Sequence, residues 1–68
     1  MSERDLDYIA NHDQDPKVRI AAVKGMGNWR DLDYIANHDQ DASVRAAAVS
    51  RMVELKNEGP NKNNRKTT

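Results

Sequence analysis

Apolar residues in this chain recur at helical spacing. Leu6, Ile9 and Ala10 follow the i, i+3, i+4 rule that lays one stripe along a helix, and Leu32, Ile35 and Ala36 follow it again. After each stripe comes the polar stretch NHDQD, and then a second apolar segment: Val18, Ala22, Val23 and Met26 in one place, Val44, Ala48, Val49 and Met52 in the other. Start signals frame these segments. Ser2 stands three residues before Asp5 and Asn28 three before Asp31, a pairing that satisfies free N–H groups at a helix start. Asp15 and Asp41 are good caps for the second segments, and Pro16 fits a first helical position, where its missing N–H costs nothing. Gly25 and Gly27 weaken the end of the first copy, whereas Arg51, Val53 and Glu54 let the second run on to Gly59 and Pro60. The pattern predicts helices near 3–11, 16–25, 29–37 and 42–57.

The two halves are copies. RDLDYIANHDQD at 4–15 recurs unchanged at 30–41, an offset of 26, and PKVRIAAVKGM is followed by ASVRAAAVSRM at the same offset. A period of this length marks a stack of helical units, each burying its apolar face against a neighbour.

The shared pattern L-x-x-I-A-x-x-D-x-D-x-x-V-R-x-A-A-V-x-x-M resembles a HEAT-type repeat, in particular the short bacterial kind of the bilin-lyase-like (PBS lyase HEAT-like) proteins. It covers about residues 2–55. The resemblance implies an all-α fold of two tandem HEAT-like helical hairpins, four helices in a short right-handed solenoid with the second helices on the concave side. It also implies a polar ladder between neighbouring repeats, built here from Asp13 with Arg19 and Asp39 with Arg45. Two repeats fall below the approximate minimum of three for a stable solenoid.

Composition narrows the reading. The chain has 68 residues, 37% of them hydrophobic and only three aromatic, so one domain with a small core is expected. Basic and acidic residues number 11 each, which leaves no global field to attract nucleic acid or an anionic membrane. Three of the basic residues, Lys62, Arg65 and Lys66, lie in the last ten, so residues 1–58 carry 8 basic against 11 acidic. The expected division is a two-repeat domain over 1–58, with repeats at about 2–27 and 28–55, followed by a disordered basic tail over 59–68. Cysteine is absent, no apolar run approaches the roughly 20 residues a membrane span needs, and the first residues lack a secretory segment, so a soluble cytoplasmic protein is expected.

The chemistry-bearing residues point away from a reaction. His12 and His38 lie beside aspartates, but metal ligands must converge on one point, while equivalent turns of stacked repeats stand on the order of 10 Å apart. Ser43 and Ser50 have no base on their repeat face, and Asp5, Asp7, Asp31 and Asp33 suit the positive end of a helix dipole. No catalytic residue, cofactor or metal site is expected. Trp29 stands where the other copy has Glu3; it either covers the junction between repeats or anchors a partner.

The two second helices differ at Pro16, Lys17, Ile20 and Lys24 against Ala42, Ser43, Ala46 and Ser50, positions that share an arc of about 100°. Positions held by packing stay constant between copies, so this varied stripe is expected to be the exposed concave surface, with Val18, Ala22, Val23 and Met26 in the core. Lys17, Ile20, Lys24, Trp29, Ser43, Ala46 and Ser50 are the candidate partner-binding residues.

The function expected is a non-catalytic protein-interaction module that associates with itself or docks on a larger protein. Open flanks at both ends of a two-repeat stack favour self-association, most simply as a dimer. An accessory role in assembling another protein is the alternative that the resemblance implies. Weak nucleic-acid binding through the tail and the Lys17 and Lys24 stripe is a third reading, resting on few charges and no interleaved aromatics.

Overall fold

A computed structural model describes residues 1–57 and contains four α-helices: α1 (Glu3–His12), α2 (Pro16–Gly25), α3 (Trp29–His38) and α4 (Ala42–Asn57). No strand occurs among the described residues. The tail expected over 59–68 lies outside them. No helix among the described residues is long and apolar enough to cross a membrane.

Local chemistry sets each boundary. The Ser2 hydroxyl accepts from the Asp5 N–H at 3.2 Å while the Ser2 N–H donates to the Asp5 carboxylate at 3.3 Å, a reciprocal cap on α1. Asp15 accepts from the Lys17 N–H at 2.8 Å, Asn28 from Asp31 at 3.2 Å and Asp41 from Ser43 at 2.7 Å. Asp13 and Asp39 end α1 and α3 in extended backbone, and their carboxylates accept the N–H groups of Asp15 and Asp41, both at 2.9 Å. One aspartate thus closes a helix and braces the turn into the next.

Packing follows the copies. α1 lies on α2 and α3 on α4; α2 and α4 run against each other, while α1 reaches α3 only lightly. One core results: Ala10, Ala22, Val23, Met26, Leu32, Ile35, Val44 and Ala48 are buried, with Leu6, Ile9, Ile20, Ala36, Ala47, Met52 and Leu55 packed partly against them. Each large buried side chain contributes about 1.5–3 kcal/mol, so five of them form a slender core for a chain of this length.

α2 stops where Met26 turns to extended backbone and drives its side chain into the core. Its freed carbonyl is taken up by Arg51, whose Nε donates to the Met26 oxygen at 2.7 Å. The Gly27 N–H donates to both oxygens of Glu3 at 3.1 Å, tying the end of the first hairpin back to its own beginning.

Candidate interaction surfaces

Because the sequence repeats, each position has a twin 26 residues away, and comparing twins shows which surface is used once and which is left open. Val18 is 39% exposed, but its twin Val44 is fully buried; Val23 is fully buried, but its twin Val49 is 50% exposed. The same crossing holds for four more core residues: Leu32 and Ile35 are buried where Leu6 and Ile9 are partly so, and Ala10 and Met26 are buried where Ala36 and Met52 are partly so, while the twins Ala22 and Ala48 are buried in both copies. The internal junction therefore joins one flank of the first repeat (Ala10, Val23, Met26) to the opposite flank of the second (Leu32, Ile35, Val44). Their counterparts at the two ends are less covered: Val18 and Val49 are exposed, and Leu6, Ile9, Ala36 and Met52 are partly buried.

At the end formed by α3 and α4 the open flank is a groove of about 370 Å³. Trp29, Ala36, Val49, Met52 and Val53 supply its apolar lining, with Asp33, Asn37 and Lys56 also on it. Trp29 stands at 50% exposure on this outer groove, not over the junction between repeats as one reading of the sequence had it. The reason is register: Trp29 has Glu3 as its twin, and Glu3 lies on the flank that the second repeat covers. Leu55 packs against the core from the lengthened α4, but Val53 stays half exposed.

The varied stripe on α2 and α4 divides. Lys17, Lys24, Ser43, Ala46 and Ser50 are exposed. Ile20, expected in the exposed stripe, is instead partly buried and packed against the core. Val18, expected in the core, is instead 39% exposed, because it lies on the flank of the first hairpin that the second does not cover. The varied and constant positions reflect two different things, contact within a hairpin and contact between repeats, which a single helical wheel merges.

The polar connection between repeats is asymmetric. Arg19 donates from Nη1 to the Asp13 carbonyl at 2.6 Å, and from Nε and Nη2 to the two carboxylate oxygens of Asp39 at 3.0 and 3.2 Å. The guanidinium binds the backbone of its own turn and the carboxylate of the next. Arg45 repeats only the first contact, from Nη1 to the Asp39 carbonyl at 2.6 Å. Among the described residues no carboxylate pairs with Arg45 and no guanidinium pairs with the Asp13 carboxylate. The side-chain pairing implied by the resemblance, Asp13 with Arg19 and Asp39 with Arg45, is in each case a bond to the aspartate's backbone carbonyl.

Arg19 and Asp39 also lie in a polar cleft of about 700 Å³ between the two turns, which His12 and His38 border. Each His ring stacks on a tyrosine one turn back, Tyr8 or Tyr34, with centroids 4.2 Å apart, and its Nδ1 donates to that tyrosine's carbonyl at 2.8 or 2.9 Å. Both rings are thereby used in closing their own helix. No group of three His, Cys, Asp or Glu able to hold a metal occurs among the described residues.

On the α1 side of the junction Asp7 is held in an unfavourable place. Its Oδ1 is buried without a hydrogen-bond partner. Burial, then the neighbouring Asp31 carboxylate, then Glu3, push its pKa up to about 7. Sequence reading missed Asp7, Glu3 and Arg51, because their roles join residues more than 20 positions apart; the signal available was that Glu3 and Arg51 are among the places where the copies differ. The chain matches no protein-family model, no curated protein and no solved structure.

Proposed function

We propose that this chain is a non-catalytic protein-interaction module built from two HEAT-like repeats, and that the groove on the outer face of α3 and α4 is its principal contact surface. One observation carries the reading. Arrays of this kind shield their ends with polar capping surfaces. Here the terminal flank is more apolar than the internal flank it copies: Trp29 and Val53 stand where the internal flank has Glu3 and Gly27. The half-exposed Trp29 is among the residue types most enriched in contact hot spots, and Val49, Met52 and Val53 give it an apolar surround. Supporting the repeat reading are the 26-residue offset, the hairpin pairing, and a second-helix layer that packs more closely than the first-helix layer. The contact is made with a protein, either another copy of this chain or a larger partner.

Affinity capture with three baits tests this: the wild-type chain, Trp29→Ala and Val49→Glu. Both substituted side chains are half exposed, so the fold is expected to persist. A protein retained by the wild type and lost from both variants supports the groove as the contact surface. Equal recovery on all three baits, or recovery of nothing, counts against it.

A further inference from the structure

The internal junction is a worked example of what fits the outer groove. Val23, Met26 and Ala10 share one core with Leu32, Ile35 and Val44; the outer groove repeats the first set in sequence as Val49, Met52 and Ala36, with Met52 inside α4 where Met26 ends α2, and the opposite end of the molecule repeats the second set as Leu6, Ile9 and Val18. From this complementarity we infer that the groove of one copy receives the Leu6, Ile9 and Val18 flank of a second copy, so that chains stack head to tail in the register of the internal junction.

The charges agree with that register. At the internal junction Arg19 completes its set of bonds on Asp39 of the following repeat. One repeat further on, the corresponding pair is Arg45 of one copy with Asp13 of the next, the guanidinium and the carboxylate that find no such partner within the described residues. A bidentate Arg–carboxylate pair fixes register as well as adding attraction. Against it stand one repulsion, with Asp33 and Asp5 in the places of Asp7 and Asp31, and one lost bond, since Gly25 of the next copy stands where Arg51 holds the Met26 carbonyl. Trp29, however, replaces Glu3 there and removes one of the three carboxylates crowded at the internal junction. The two flanks carry different residues, so the contact is heterologous and does not close as a two-fold dimer. Within the chain the connection from α2 to α3 supplies an effective concentration of order millimolar that separate copies lack. Association between separate copies is therefore expected to be weaker than the internal junction and to grow with protein concentration.

This inference rests on the interaction reading above but fails separately from it. The test is sedimentation equilibrium from 10 µM to 1 mM on the wild type, Val18→Glu, Val49→Glu and an equimolar mixture of the two variants. Val18→Glu spoils one flank and Val49→Glu the other, and both positions are exposed. The wild type is expected to grow past dimer with no plateau. Each variant alone should associate at least tenfold more weakly. The mixture should form a 1:1 complex and stop, because one intact groove then meets one intact flank. Circular dichroism checks that each variant is helical; Val18→Asp and Val53→Glu replace any that is not. A wild type that stays monomeric overturns the stacking, as does a mixture that stays monomeric. If Val18→Glu associates like the wild type while Val49→Glu does not, grooves pair with each other and the head-to-tail arrangement is wrong. A groove-dependent partner in the capture experiment together with a monomeric wild type would retain the module and reject the stack.

Discussion

Asp7 and Arg19 show how differently two charged residues of the first hairpin are treated at one junction. Asp7 has burial and two carboxylates against its ionised form, so its folded pKa of about 7 lies well above the ordinary 3.8. The folded state then binds a proton more tightly than the unfolded chain between those values, and stability must fall as pH rises from about 4 to 7. Asp7→Asn removes the penalty: thermal melts at pH 8 are expected to rise by roughly 1 kcal/mol after allowance for solvent screening, with no gain at pH 3.5. A gain of equal size at both pH values would assign the effect to packing. Arg19, by contrast, holds two turns together, and truncating one partner of a part-buried pair leaves the other charge stranded. Arg19→Ala is expected to cost on the order of 3 kcal/mol. Arg45→Ala removes one bond to a carbonyl and should cost about 1 kcal/mol. Melts of the two variants at one low protein concentration compare them; equal losses would mean that the Asp39 carboxylate contributes nothing.

At the level of the helix, the two hairpins differ mainly in where the second helix stops. Gly25 ends α2 without a positive φ, so its backbone is open to any L-residue. A Cβ there would come within 3.3 Å of Leu6 Cδ1, a close contact with a flexible side chain. Leu6 is only partly buried at the open flank and has room to shift by a few tenths of an ångström. Gly25→Ala is accordingly expected to stabilise the chain by about 0.5 kcal/mol, the helix-propensity gain of up to roughly 1 kcal/mol less the cost of moving Leu6. A lower melting temperature would show that Leu6 is pinned. The twin position is Arg51, where the helix continues and the side chain reaches back to the Met26 carbonyl. One position ends a helix in the first copy and caps that same end from the second.

Across the whole molecule the governing fact is that the core is laid across a junction of opposite flanks. Leu32, Ile35 and Val44 are buried in one core with Ala10, Val23 and Met26, whereas their twins at the two ends are only partly buried or exposed. Covering them by a second copy couples stability to concentration by mass action. The wild-type melting temperature is therefore expected to rise by several degrees between 10 µM and 1 mM, while Val49→Glu melts at a temperature independent of concentration. A wild-type curve that does not move would show that the two repeats are stable with their ends open.

The four helices and their boundaries were legible in the sequence, because capping residues, Gly and Pro act within a few positions and the apolar spacing reports one helix at a time. So was the duplication, and with it the expectation that the repeats stack. Which copy of each residue is buried was not legible. Val18 and Val44 have the same neighbours in sequence up to the substituted positions, and nothing local distinguishes them; one is exposed and the other covered because only Val44 lies on a flank that the other hairpin covers. Ile20 reads as open from the sequence for a related reason, since variation between copies marks both solvent-facing positions and positions packed within a single hairpin. The strain at Asp7, the return of Arg51 to Met26 and the reach of Arg19 to Asp39 likewise join residues 20 or more apart. Helix formation is decided by interactions of short range along the chain, whereas burial, pairing and pKa depend on what the tertiary fold brings alongside.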